Sequence, residues 1–220
     1  MITSECLLCR ASTPRRDLLC DACRQHLPRL DSPVCCCGLP CAASMAFDLC
    51  GRCQGDPPSF SAVHSLFRYA WPLDHLVHLY KYRRRLEAER ALTSFWPAQP
   101  PGARPDVLVP IPLHRWRRLT RGFNQAHRLA QHLGAHWQIP VRPLLTRTRR
   151  AHSQQGLDRH ARHHNLHGAF ACRADVRNLR ILLVDDVVTT AATVREASRC
   201  LAEAGAFSIE VLALARTFDE

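Results

Sequence analysis

Apolar residues cluster most tightly near the C-terminus, where Ile181-Leu182-Leu183-Val184 forms an unbroken run. Such a run is expected of a strand covered on both faces of a parallel sheet. Asp185-Asp186-Val187-Val188-Thr189-Thr190 follows, and then Val194, Ala197, Leu201 and Ala204 recur at helical spacing. Gly205 stands where a helix-terminating glycine belongs. Ile209 to Ala215 predicts the next strand. Strand, loop, helix and strand in this order make a βαβ unit, so the expected fold class is α/β with an open parallel sheet flanked by helices.

Upstream the pattern is more broken. Ser61 to Tyr69 predicts a strand, and Leu73, Leu76, Val77 and Tyr80 give one apolar helix face. Asp106 to Val109 predicts a short buried strand closed by Pro110-Ile111-Pro112. Asn124 can cap a helix whose apolar face is Ala126, Leu129, Ala130 and Leu133. Val141 to Leu145 reads as a further strand. Residues 147–167 are polar and basic with no apolar stripe, which is long for a connection and predicts a functional flap. Residues 1–55 lack any long periodic segment, so they need a staple to hold a fold. Asp56-Pro57-Pro58-Ser59 then reads as a linker.

Composition supplies the staple. Ten of the twelve cysteines fall within the first 53 residues. Cys6-x-x-Cys9 and Cys20-x-x-Cys23 make two thiolate knuckles, the spacing of a closed Cys₄ structural zinc site. Cys50-x-x-Cys53 is a third knuckle, with partners to come from Cys35, Cys36, Cys37 and Cys41. Cys172 and Cys200 read as packing residues.

The formal charge of +11 points to anionic partners, either nucleic acid or phosphorylated metabolites. Two Zn(Cys)₄ groups, each carrying a net −2, would lower it to about +7. No apolar run approaches the roughly 18 residues of a membrane span. Met1 to Arg10 shows no basic-then-apolar signal pattern, so a cytoplasmic location is expected. Lys81, the one lysine in the chain, reads as a snorkelling surface residue.

The candidate chemistry lies after the Ile181–Val184 run. Paired carboxylates at the carboxyl end of a buried strand stand where α/β sheets bind ligands. Threonines at the following helix N-terminus add hydroxyl donors to free N–H groups, which suits a phosphate. Acceptors for sugar hydroxyls thus sit beside donors for a phosphate, as a ribose 5-phosphate requires.

Two basic stretches add to this. His114 to Arg128 holds Arg115, Arg117, Arg118, Arg121 and Arg128 with no acid, and Trp116 and Phe123 are interleaved as base stacking would want. Residues 147–167 hold Arg147, Arg149, Arg150, Arg159 and Arg162, with Asp158 their single acid. His163, His164 and His167 read as solvated loop histidines, since no four-ligand set surrounds them.

Ile181 to Thr193 resembles the phosphoribosyl-pyrophosphate (PRPP) signature of type I phosphoribosyltransferases. The resemblance extends over the whole chain to the ComF (competence protein F, GntX-like) family. It is carried by the cysteine knuckles, Leu79-Tyr80-Lys81-Tyr82, Val109-Pro110-Ile111-Pro112-Leu113, Arg121-Gly122-Phe123-Asn124-Gln125-Ala126, and Arg147-Thr148 through Gln154, Leu157, Arg162, Asn165 and Phe170.

The resemblance implies a double zinc ribbon at 1–55, a linker and hood strand and helix at 56–105, and a type I phosphoribosyltransferase-like domain at 106–220. It implies that Asp185 and Asp186 contact ribose hydroxyls. It implies that Val188, Thr189, Thr190, Ala191, Ala192 and Thr193 wrap the 5′-phosphate, with Mg²⁺ accompanying PRPP. The turn at Pro110 to Leu113 would lie where pyrophosphate binds, and Arg115, Arg117, Arg118, Arg121 and Arg147 would form a basic face for pyrophosphate or nucleic acid. Residues 147–167 become a hood closing over the leaving group.

The second zinc set is then Cys35, Cys37, Cys50 and Cys53, because the family knuckle ends at Cys37-Gly38 and its first cysteine falls on Val34 here. The family's glycine after the two threonines is Ala191, which costs about 1 kcal/mol if the position needs φ > 0. The family implies DNA uptake or use of imported DNA, acting on single-stranded DNA with a helicase or recombination partner. Whether PRPP turns over is left open.

Overall fold

In the computed structural model, residues 3–14, 17–30, 35–41, 49–83, 85–113, 122–148 and 168–218 are described. The N-terminal part contributes β1 (Thr3–Glu5), β2 (Ser12–Pro14), α1 (Asp21–Gln25) and α2 (Gly51–Gly55). Then come β3 (Val63–Arg68), α3 (Leu73–Arg83), α4 (Leu86–Thr93), β4 (Val107–Pro110) and α5 (Gln125–Trp137). The C-terminal part is β5 (Leu145–Arg147), β6 (Phe170–Cys172), β7 (Arg180–Val188), α6 (Ala192–Glu203) and β8 (Ser208–Arg216).

Strands β3, β8, β7 and β4 lie in that order in one sheet, and every pair is parallel. The unbroken apolar run of β7 follows from covering both faces. Ile181 and Leu183 point into one core layer with Val194, Ala197 and Leu201 of α6. Leu182 and Val184 point into the other, with Leu73, Leu76, Val77 and Tyr80 of α3 and Leu129, Ala130 and Leu133 of α5. The two cysteine groups divide the same way: Cys35, Cys37 and Cys53 join the α6 layer, and Cys6, Cys20 and Cys23 the α3–α5 layer.

Both sheet edges are closed, as an open parallel sheet requires. At β3 the N-terminal segment pairs alongside: Arg68 N–H donates to the Pro28 carbonyl at 2.8 Å and Val63 N–H to that of Cys36 at 2.7 Å. At β4 a parallel bridge joins Leu108 to Val141. The expected Val141–Leu145 strand is thus a single bridge, and β5 begins only at Leu145, where it pairs antiparallel with β6. The predicted helix stop holds: Gly205 follows α6 at φ +94°, a conformation that L side chains rarely adopt.

Candidate functional site

Strand β7 carries Asp185 and Asp186 past the end of β4, to the carboxyl edge of the sheet. The two carboxylates meet different surroundings. Asp186 Oδ2 lies 2.9 Å from Lys81 Nζ, both side chains being largely buried. Among the described residues, Asp185 has no such cation at contact distance. Burial of its carboxyl and the adjacent Asp186 charge push its pKa up to about 7, against the opposing pull of the Asp186 N–H, Lys81 and Arg147.

Lys81 departs from the surface reading. Its helix buries Leu76, Val77 and Tyr80, each at most 1% exposed, and the register of that face turns the lysine inward over β7.

The loop after the acids is shaped for an anion. Ala191 adopts φ 59°, ψ 3°, the left-handed conformation that a family glycine at this position implies, and it stands at the N-cap of α6. An alanine cap offers no acceptor, and no side chain caps this helix. Its first N–H groups are the orphan donors of a helix start, with the positive end of the dipole behind them. The Ala192 N–H reaches only as far as Thr190 Oγ1, at 3.5 Å. Thr189 is exposed, and Thr190 and Thr193 are half-exposed.

The turn at Pro110–Leu113 lies next to the acids, since Ile111 N–H donates to the Val184 carbonyl at 2.9 Å. Asn124 stands at the N-cap of α5 but does not cap it; its Nδ2 donates to the Ile111 carbonyl at 3.0 Å and pins this turn. Arg147 lies near enough for its charge to favour ionised Asp185, with its guanidinium 5.5 Å from the Phe170 ring centroid. Phe123 packs against Tyr80 at 5.6 Å between ring centroids, which places it in the core edge rather than on a stacking surface. Arg115, Arg117, Arg118, Arg121 and Trp116 lie outside the described residues, as do residues 149–167 of the flap with His163, His164 and His167.

Three arginines that sequence reasoning passed over tie the loop to the N-terminal part. Arg216, 3% exposed, donates to the carbonyls of Val188, Thr189 and Thr217 and, through Nε, to that of Cys37 at 3.0 Å. Arg52 of α2 donates to the Thr190 carbonyl at 3.3 Å. Arg195 of α6 reaches Cys53 Sγ at 3.1 Å and the Asp56 carbonyl at 2.8 Å.

The thiols form two groups, Cys6 with Cys9, Cys20 and Cys23, and Cys35 with Cys37, Cys50 and Cys53, each with its sulfurs within 4.8 Å of one another. Tetrahedral zinc with Zn–S of about 2.3 Å spaces sulfurs about 3.8 Å apart. The Cys9–Cys20 and Cys37–Cys50 separations are 3.6 and 3.7 Å, and no cysteine is in a disulfide. Backbone N–H groups bring the Cys6 and Cys35 thiols down to about 6 against the opposing effect of burial, while burial and the neighbouring sulfurs push Cys23 and Cys53 up. Both groups can therefore hold a zinc ion, and four thiolate ligands would leave it no open position for catalysis, as in a structural site.

A parallel sheet with an acidic pair and an uncapped helix at its carboxyl edge is the frame of a phosphoribosyltransferase fold. The family model for the phosphoribosyl transferase domain matches residues 102–218, and the chain belongs to that family. The chain is 36% identical over 222 residues to the DNA utilization protein YhgH of Salmonella typhimurium, covering 96% of each. It is 35% identical over 211 residues to the Escherichia coli protein of the same name, covering 90% of each. It is 28% identical to competence protein F of Haemophilus influenzae, again over 96% of each. Among the described residues, no helix is long and apolar enough to cross a membrane.

Proposed function

We propose that the carboxyl edge of the sheet binds PRPP, or a related ribose 5-phosphate, with Mg²⁺. The observation that carries this reading is the left-handed, uncapped start of α6 directly after the Asp185–Asp186 pair. The N–H groups and threonines from Val188 to Thr193 would hold the 5′-phosphate. Asp185 and Asp186 would accept from the ribose hydroxyls, and the Pro110–Leu113 turn with Arg147 would face the pyrophosphate.

Such a site supports phosphoribosyl transfer: a nucleophile forms a bond to the anomeric carbon as the bond to pyrophosphate breaks, and pyrophosphate leaves with the electron pair. The chain's part is positioning and charge stabilisation. The test is calorimetric titration of PRPP with Mg²⁺ into the zinc-loaded protein beside Asp185→Asn. Heat of binding in the wild type that is lost in the variant supports the reading; a wild type without binding overturns it.

A second reading is favoured by the charge of +11 and by exposed aromatic rings, Trp71 and Tyr82 among them: an accessory protein that holds single-stranded DNA in DNA utilization or competence. Affinity falling steeply with salt supports this reading, and salt-independent binding or none contradicts it. The two readings are compatible, since the phosphate loop and the aromatic surface use different residues.

A further inference from the structure

Helix α3 is anchored by one face and decorated on the other. Leu73, Leu76, Val77 and Tyr80 are at most 1% exposed. Opposite them stand Trp71, just before the helix, and His75, His78 and Tyr82, all exposed. At about 100° per residue, the spacings of three and four keep His75, His78 and Tyr82 within about 30° of one line on α3. Trp71 and His75 have ring centroids 5.8 Å apart, and His78 and Tyr82 4.8 Å apart. Trp71 is 69% exposed and Tyr82 58%.

From His75 to Tyr82 the stripe runs about 10 Å along the helix, and Trp71 extends it beyond the helix start through its contact with His75. It starts where β3 leaves the sheet, with Tyr69 N–H on the Arg216 carbonyl, and it ends beside Lys81. Arg85, exposed at the N-cap of α4, follows. The one acid between Trp71 and Arg85 is Asp74, whose Oδ1 accepts the His75 N–H.

We propose that this ring stripe is a stacking platform for the bases of single-stranded DNA, with Arg85 and the net positive charge of the protein drawing the phosphates. The proposal rests on the second reading above and assigns it a surface. Exposed flat rings suit bases of any identity, because every base has a π-face, and the net positive charge suits the backbone. A helix-binding protein groove would instead want aliphatic knobs. The stripe carries none, and the other large exposed apolar side chains among the described residues, Leu86 and Phe207, lie on other elements. Duplex bases are stacked on each other and leave no face for these rings, so single strands are preferred.

The experiment is fluorescence anisotropy with the full-length zinc-loaded protein. The probes are labelled oligothymidylate, an abasic deoxyribose-phosphate oligomer of the same length, and a duplex. Trp71→Ala and Tyr82→Ala should each weaken oligothymidylate binding between about 5- and 150-fold, while Trp71→Phe retains most of it. The slope of log affinity against log salt should not change, and neither should binding of the abasic oligomer. Variants that bind oligothymidylate like the wild type overturn the stripe and leave the DNA reading standing. A wild type that binds no single-stranded DNA overturns both. Equal losses on the abasic oligomer also overturn the stripe, as does loss of a protein partner with DNA binding intact.

Discussion

Arg195 Nη2 lies 3.1 Å from Cys53 Sγ, so the helix that follows the acidic pair donates directly to a sulfur of the second cysteine group. Arg216 makes the parallel connection, from the Cys37 carbonyl to those of Val188 and Thr189. The second cysteine group and the loop from Val188 to Ala191 are therefore neighbours in one packed layer, so a change in one should be felt in the other.

Metal removal tests this coupling. Cys53→Ser, which leaves the first cysteine group intact, should lower both the melting temperature and PRPP affinity. Arg216→Ala should lower stability by about 2–4 kcal/mol, because buried carbonyls lose a charged donor. Zinc content by chelator titration, read beside denaturant unfolding, checks both variants. A Cys53→Ser protein holding one zinc with unchanged PRPP affinity would show the two sites to be independent.

The lysine–aspartate pair makes a second prediction. Lys81→Met leaves Asp186 next to Asp185 without the cation that contacts it. Breaking a buried pair costs about 3–5 kcal/mol, and with both side chains retaining some exposure the lower end applies. Denaturant unfolding of the variant measures it. The apparent pKa of Asp185 should rise as well, because Lys81 helps to stabilise its charged form.

The proton on Asp185 sets a pH dependence. Its native pKa of about 7 exceeds the ordinary carboxylate value of about 3.9. Between those values the folded state binds more protons than the unfolded state, so this group makes stability fall as pH rises from about 4 to 7 and level off above. Asp185→Asn should therefore melt higher than the wild type at pH 8, with the advantage shrinking toward pH 4, even as it loses PRPP. Thermal unfolding across that range checks the sign.

Ala191 provides a fourth. Glycine there relieves about 1–2 kcal/mol of left-handed strain, but it removes a methyl group whose burial is worth about 0.8 kcal/mol and adds about 0.4–1 kcal/mol of unfolded-chain entropy. These offset, so Ala191→Gly should change stability by less than about 0.5 kcal/mol. PRPP affinity should nonetheless rise, as the backbone approaches the phosphate more freely. Titration calorimetry with parallel melting curves separates the two effects.

The parts of this molecule legible in the sequence are those written in short-range pattern. β7, α6 and β8 announce themselves through an unbroken apolar run and a helical period, and the cysteine knuckles through their spacing. Ala191 is visible as a position asking for φ > 0. The Lys81–Asp186 pair is not, because it depends on how α3 packs across β7, a strand distant in sequence. Arg52, Arg195 and Arg216 are hidden among many arginines, since nothing local distinguishes a buried clamp from a solvated charge. Asn124 holds the α5 N-cap position that its side chain suggests, but its hydrogen bond goes to a turn that only the tertiary fold brings near.

A 5′-phosphate seated at the start of α6 would sit among the N–H groups from Val188 to Thr193. Phosphorus NMR of Mg²⁺-PRPP titrated with the zinc-loaded protein tests it most directly, because the 5′-phosphate and the pyrophosphate give separate resonances. The 5′-phosphate signal should shift and broaden as protein approaches stoichiometry, and Asp185→Asn should reduce the effect. A 5′-phosphate signal that stays sharp and unmoved at saturating wild-type protein would contradict it.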